Sequence, residues 1–248
     1  MRPVLLVAHG QPSDPAPAAA DLARLAGQVA LLLPGRAVGS ATLAEAGAVA
    51  GETARLGPAG VVYPMFMAGG WFTRVQIPAR LAEAGAMVGA AGWQVLEPLG
   101  CDPALHDLAV DILREAGVSE ASVREVGGAG RVLLAAHGSF KTPVPSDVAR
   151  HAARHIAQAL GVGVAAAFID QEPQLSGATG YGTDALCLPF FAASGGHVTD
   201  DIPAALARAG FRGRLLPAIG TDHRVPALIA RAVIAGQPIC QTVCRYKS

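Results

Sequence analysis

Short apolar runs alternate along this chain with longer stretches in which apolar and polar positions are mixed. The first half has four such runs, at Val4–Ala8, 37–43, 60–67 and 93–96. Runs of this length are typical of strands buried on both faces of a sheet. The mixed stretches between and after them predict helices near 18–33, 44–56, 75–84 and 103–116. Because helices separate the strands, the pattern predicts an α/β fold with parallel sheets.

The second half repeats this order. The sequence VLLVAHG at 4–10 returns as VLLAAHG at 132–138. Strands are expected near 132–136, 163–169, 185–191 and 213–216, and helices near 146–160, 200–209 and 225–235. Segment 172–184 is rich in glycine, so any helix there is expected to be short or broken. We therefore predict two similar lobes, each a parallel four-stranded sheet flanked by helices, at 1–117 and 131–248, joined by a linker at 118–130.

A second phrase recurs with different contents. YPMF at 63–66 leads through two glycines to Pro78, and LPFF at 188–191 leads through Gly195 and Gly196 to Pro203. Ungapped alignment on the prolines places Phe72 opposite His197. One half is polar where the other is apolar, which indicates a single site in the second half.

Three polar residues of the second half follow three different predicted strands. These are His137, Glu172 and His197. Carboxyl ends of parallel strands share one edge of a sheet, where ligands bind in such folds. Two histidines and a carboxylate are a common ligand set for divalent transition metals, and the same groups can exchange protons. Taken singly, each residue also fits a capping histidine, a turn or a solvated charge.

The first half holds only part of this set. His9 and Glu45 stand at positions resembling those of His137 and Glu172, and Phe72 stands where the second histidine of the set would be. Trp71 and Phe72 there suit either a flat apolar ligand or ordinary packing.

Charge and length exclude several classes of protein. The 248 residues carry no net charge, and 52% of them are hydrophobic. A nucleic-acid or anionic-membrane binder normally carries a basic excess, so neither partner is expected. No apolar stretch approaches the roughly 18 residues of a membrane span, and the short N-terminal run recurs at 132, so we expect a cytoplasmic protein without a signal peptide. Cys240 and Cys244 fit incidental thiols or, alternatively, a metal-binding pair.

The recurring phrases resemble the class II tetrapyrrole chelatases, the CbiX/SirB family that inserts metal into sirohydrochlorin. The resemblance lies in the two His-Gly phrases, in Glu172-Pro173, in LPFFAASGGHVTDDIP at 188–203, and in the Gly-x-Asp segments at 100–102 and 220–222. It implies an active cleft between the lobes, a tetrapyrrole substrate and no organic cofactor. Co²⁺ or Fe²⁺ is the implied metal substrate, with Ni²⁺ as a further option, in cobalamin or siroheme biosynthesis.

The resemblance also implies which residues act. His137, Glu172 and His197 would hold the metal and carry the catalysis. Long members often keep the active residues in the N-terminal unit, whereas here they fall in the C-terminal one. Other residues are candidates for substrate contact: His9, Trp71, Phe72, Lys141, Gly195 and Gly196. Lys141, Arg74 and Arg80 could pair with substrate carboxylates or, equally, be exposed charges that aid solubility.

Two other functions stay open from the sequence. The chain could carry a tetrapyrrole or a metal without catalysing insertion. A transferase or hydrolase with His137 as nucleophile is less favoured, because no Arg-His-Gly phrase accompanies it. Either a monomer or a homodimer is compatible with a chain that has two lobes.

Overall fold

The first sheet has four parallel strands in the order β2-β1-β3-β4. A computed structural model describes residues 1–118, 132–240 and 244–246 of the chain. The strands are β1 (Val4–Ala8), β2 (Val38–Thr42), β3 (Gly60–Pro64) and β4 (Trp93–Val95). The helices between them are α1 (Pro15–Leu32), α2 (Ala48–Leu56) and α3 (Ile77–Glu83). The strand order and the parallel pairing confirm the α/β prediction for this half.

The second sheet repeats the first, in the order β6-β5-β7-β8. Helix α4 (Pro103–Glu115) precedes it along the chain. Its elements are β5 (Val132–Ala136), α5 (Val144–Leu160), β6 (Val164–Phe168), β7 (Leu186–Pro189), α6 (Ile202–Arg208) and β8 (Arg214–Leu215), and α7 (Val225–Ala235) follows. Where the first sheet has α2, the glycine-rich segment forms only the 3₁₀ turn Leu175–Gly177, as predicted.

Two compact units divide the described chain, and neither is continuous in sequence. The first contains Met1–Asp102 and His223–Arg245, and the second contains Pro103–Asp222 and Tyr246–Ser248. Helix α7 therefore belongs with the first unit, where it packs on α1, and α4 belongs with the second, where it packs on α5. The predicted lobes at 1–117 and 131–248 follow the sequence repeat, whereas the compact units exchange these two helices. Nearly all of the predicted linker, 118–130, lies outside the described residues.

Strand register aligns the ends from which candidate site residues emerge. In the first sheet Ala8 pairs with Thr42, and in the second Ala136 pairs with Phe168. The third strand of each sheet ends in proline, which pairs with Val7 in one sheet and Ala135 in the other. The loops that follow the first three strands of a sheet therefore all start at the carboxyl edge of that sheet.

Aliphatic side chains on the central strands make the core of each unit. Leu5 and Leu133 are fully buried on the two first strands. In the second unit, buried Leu175 and Tyr181 lie in the segment that replaces the helix, and the 3₁₀ turn packs on α6. Burial of this kind is the main favourable contribution to folding. Among the helices of the described ranges, none is long and apolar enough to span a bilayer.

A histidine cluster lies between α4 and α5 of the second unit. The buried ring of His106 lies 5.4 Å from that of His151, and the His151 ring lies 4.3 Å from that of Tyr246. Burial lowers the pKa of His151, and the neighbouring charges of Arg154 and His155 lower it further. The folded unit therefore favours the neutral form of this ring.

Replacing Leu5 with alanine should lower the free energy of unfolding by about 2–5 kcal/mol, because it opens a cavity between fully buried neighbours. The control is Leu31→Ala, the same change on α1 at a side chain that is 84% exposed. The control should change stability by no more than about 0.5 kcal/mol. Urea unfolding followed by circular dichroism measures both, and equal losses would contradict the assigned core.

Acidification should destabilise the second unit partly through His151. An unfolded histidine takes up a proton near pH 6.5, whereas the folded His151 has a lowered pKa. Below about pH 6.5 the unfolded state therefore binds more protons, and the free energy of unfolding falls as pH falls. His151→Gln should reduce this fall between about pH 7.5 and about pH 5.5. If urea unfolding of His151→Gln shows the same pH dependence as wild type, the contribution assigned to His151 is contradicted.

Candidate metal centre

Two imidazole rings meet at the edge of the second sheet. The Nε2 atoms of His137 and His197 lie 3.2 Å apart. Their rings are edge to face, with centroids 4.6 Å apart and planes at 86°. The structure thus brings together two of the three residues that the sequence predicts for the metal site.

His137 is held by the turn that ends β5. The amide of Asp170 donates to the His137 carbonyl at 2.9 Å, and the amide of Ile169 donates to Ala136 at 3.1 Å. Gly138 follows with φ of +75°, in the left-handed region that glycine favours. A Cβ on Gly138 would lie 2.6 Å from Cγ of Gln171, whose amide oxygen accepts from the Ser139 amide at 2.8 Å.

His197 opens a turn of π-helix. The turn spans His197–Asp201, and the Ile202 amide donates to the His197 carbonyl, five residues back. Before it, the Gly195 carbonyl accepts from the amides of Val198 and Thr199. Single π turns inside helices occur frequently at functional sites, because they widen the helix locally and redirect side chains.

Each ring nitrogen that faces away from the pair has an oxygen beside it. Nδ1 of His197 lies 2.6 Å from Oδ2 of Asp201. Nδ1 of His137 lies 3.1 Å from the Gly138 carbonyl and 3.5 Å from Oδ2 of Asp170. Sequence reasoning assigned no role to either aspartate. For Asp201 a signal existed, since a residue four positions after His197 lies on the same side of a helix.

Glu172 follows β6 as predicted, but its carboxylate is engaged elsewhere. Its Oε2 accepts from the Gln174 amide at 3.1 Å. Across residues 1–118, 132–240 and 244–246, no three His, Cys, Asp or Glu side chains gather closely enough to hold a metal ion. The structure therefore shows a pair of histidines, and the three-ligand set with Glu172 stays a prediction.

The other residues predicted to contact substrate in this unit are open to solvent. Lys141, Gly195 and Gly196 are exposed. Neither glycine has a positive φ, and a Cβ added to Gly195 would meet no other atom within 4 Å. Steric crowding therefore does not explain why residue 195 is a glycine. Phe140, which the sequence analysis missed, is 79% exposed in the loop after His137.

The first unit has the same ring geometry with a different ring. His9 and Phe72 are edge to face, with centroids 4.7 Å apart and planes at 84°. Phe72 opens a π turn, Phe72–Gln76, equivalent to the turn at His197. The structure thus confirms the prediction that Phe72 in the first unit occupies the position of His197 in the second. Trp71 packs on Phe72 with centroids 5.2 Å apart and remains 57% exposed.

Backbone register corrects the predicted position of Glu45. The amide of Ala44 donates to the His9 carbonyl at 2.9 Å, as that of Asp170 does to the His137 carbonyl. Ala44 is therefore the counterpart of Asp170, and Glu45 is the counterpart of Gln171 rather than of Glu172. The error arises because residue counting from the histidine cannot resolve a shift of one position.

Two arginines proposed for substrate carboxylates have other surroundings. Arg80 pairs with Glu83 at 2.9 Å. Arg74 is half-buried and lines a small cavity of the first unit with Glu97 and Cys101. Cys240 also lines this cavity, and its thiol donates to Oε1 of Glu97 at 3.2 Å.

Separation of the two Nε2 atoms is suitable for a shared metal ion. Nitrogens each about 2.1 Å from one ion lie about 3.0 Å apart at a right angle and about 3.4 Å apart at a tetrahedral angle. The observed 3.2 Å falls between these values. The same pair can instead share one proton while no ion is bound.

Comparison with known proteins identifies the family. A family model described as CbiX matches residues 131–235. The solved structure of CbiX, described as the terminal enzyme for biosynthesis of siroheme in denitrifying bacteria, is 42% identical, with a TM-score of 0.81 over 94% of this chain and 99% of that one. The chain belongs to the CbiX family. It is thus a chelatase by family, as the recurring phrases implied.

More distant structures share the fold of this CbiX-family chain. SirB from Bacillus subtilis with Fe³⁺ is 16% identical, with a TM-score of 0.68 over 95% of this chain and 96% of that one. SirB from Bacillus subtilis subspecies spizizenii in complex with cobalt is 17% identical, with a TM-score of 0.66 over 95% of each chain. No curated protein sequence matches the chain.

Gly138→Ala should destabilise this CbiX-family protein more than Gly210→Ala does. Both glycines have positive φ, at +75° and +67°, which costs other residues about 1–2 kcal/mol. A Cβ at Gly210 would meet nothing within 4 Å, whereas one at Gly138 would clash with Gln171. Urea unfolding of the two variants measures the difference, and equal losses would contradict the tight turn after His137.

Proposed function

We propose that this chain inserts Fe²⁺ or Co²⁺ into sirohydrochlorin. The observation that carries the proposal is the His137–His197 pair, with facing Nε2 atoms 3.2 Å apart, in a member of the CbiX family. The relative that is 42% identical is described as the terminal enzyme of siroheme biosynthesis. Siroheme is an iron compound, which favours Fe²⁺, and Co²⁺ accepts the same nitrogen and oxygen ligands.

Insertion requires a hydrated M²⁺ ion to lose water and the macrocycle to lose two pyrrole protons. In our proposal His137 and His197 hold the incoming ion through Nε2, and a rotation of the Glu172 side chain completes its shell. Few protein ligands leave positions on the ion open for ring nitrogens, so the ion can be passed on. As the ion passes to the ring, each of the two released imidazoles can accept one of the two pyrrole protons, because a neutral imidazole nitrogen acts as a general base.

Substrate contacts are proposed separately for the two units. In the second unit, the open space at Gly195 admits a flat ring, and the exposed Lys141 can pair with a carboxylate of the substrate. In the first unit, Trp71 and Phe72 offer apolar surface beside His9. The prediction that the active cleft lies between the lobes stays a prediction.

His197→Ala should lower the rate of metal insertion by at least about 100-fold, because loss of a ligand should cost more than the 10–100-fold typical of supporting groups. The assay mixes sirohydrochlorin with Fe²⁺ or Co²⁺ anaerobically and follows the absorption change of metalation. His9→Ala is the matched comparison, since its ring lies opposite Phe72 instead of a second imidazole. It should cause a smaller loss.

Three outcomes would contradict the proposal. Near-normal turnover of His197→Ala would remove the histidine pair from the mechanism, and an equal loss in His9→Ala would mean that the first unit is also needed. A wild-type protein that binds sirohydrochlorin but leaves its metal-free absorption unchanged when metal is added would be a carrier.

A further inference from the structure

The shortest polar contact at the histidine pair involves Asp201. Its Oδ2 lies 2.6 Å from Nδ1 of His197, a short hydrogen-bond distance. The two side chains are 53% and 47% exposed. A polar side-chain pair this exposed contributes little to folding. The contact therefore calls for an explanation other than stability of the unit.

The first unit shows what the turn looks like without this contact. It forms the same π turn, and Phe72 takes the place of His197 while Gln76 takes the place of Asp201. The turn thus folds without the carboxylate. Within this one chain, the carboxylate is present where the ring has nitrogens and absent where the ring is phenyl. It accompanies the imidazole and is not required by the backbone.

We propose that Asp201 is a positioning residue for His197, an inference that rests on the proposed function. When Asp201 accepts the Nδ1 proton, the neutral imidazole carries its free electron pair on Nε2, the atom that faces His137. The carboxylate also fixes the ring plane and increases the electron density available to the ion. Carboxylates behind ligating histidines act in this way at metal sites.

A neighbouring aspartate provides a matched control. Asp200 is in the same π turn and is exposed, like Asp201. Its carboxylate lies beside Gly196, where a Cβ would stand 3.6 Å from Oδ2. Asp200→Asn therefore removes the same charge from the same turn without touching the contact to His197.

The experiment titrates Co²⁺ into metal-free full-length protein, anaerobically, by calorimetry, for wild type, Asp201→Ala, Asp201→Asn and Asp200→Asn. Asp201→Ala should weaken Co²⁺ binding by about 10–100-fold. Asp201→Asn should lose less, because its amide oxygen can still accept the Nδ1 proton. Asp200→Asn should bind like wild type. In the insertion assay, Asp201→Ala should raise the KM for metal and leave the KM for sirohydrochlorin unchanged.

Thermal unfolding of all four proteins separates positioning from folding. We expect similar Tm values. Equal Co²⁺ affinity of Asp201→Ala and Asp200→Asn would overturn the inference, and so would weakened binding in Asp201→Ala that matches a lower Tm and is not recovered in Asp201→Asn. If wild type binds Co²⁺ but does not metalate sirohydrochlorin, the proposed function fails while the titration still decides the role of Asp201.

Discussion

Backbone hydrogen bonds at the carboxyl edge of each sheet determine where the site residues stand. The amide two residues after the second strand donates to the carbonyl of the histidine after the first strand, at 2.9 Å in both units. The amides of Gly100 and Gly220 similarly donate to the carbonyls of Phe66 and Phe191, which follow the third strands. A Cβ on either glycine would overlap a backbone oxygen, so the Gly-x-Asp segments of the repeat are explained by close approach of the chain. The side chains of the site can change while this frame is kept.

The two units show how little separates a metal-binding edge from an apolar one. An imidazole and a phenyl ring fill similar space, and both pack edge to face on the preceding histidine, with centroids 4.6 and 4.7 Å from it. Edge-to-face packing stabilises either pair. Exchange of His for Phe therefore removes ligand nitrogens without disturbing the surrounding core.

Much of this arrangement could be predicted from the sequence, because periodicity and repetition report on the backbone. Residue spacing predicts the strands and the broken helix after Glu172. It also predicts that Phe72 and His197 occupy equivalent positions in the two units. Side-chain direction does not follow from spacing. Local hydrogen bonds determine three features that spacing could not predict. The Glu172 carboxylate accepts from the Gln174 amide, Asp201 contacts His197, and Glu45 is shifted by one position relative to Glu172. The hydrophobic pattern also could not predict that α4 belongs to the second unit and α7 to the first, because helical periodicity does not indicate the unit on which a helix packs.

That exchange affects how the protein can be made. Helix α7 packs on α1 of the first unit, although its residues follow the second sheet along the chain. Domains generally fold during synthesis from the N-terminus onward. Here the first unit cannot be completed until the chain has been synthesised through residue 245, after the second unit's own sheet. A gene cut between the two halves would therefore encode two fragments, each lacking one helix of the unit to which its sheet belongs.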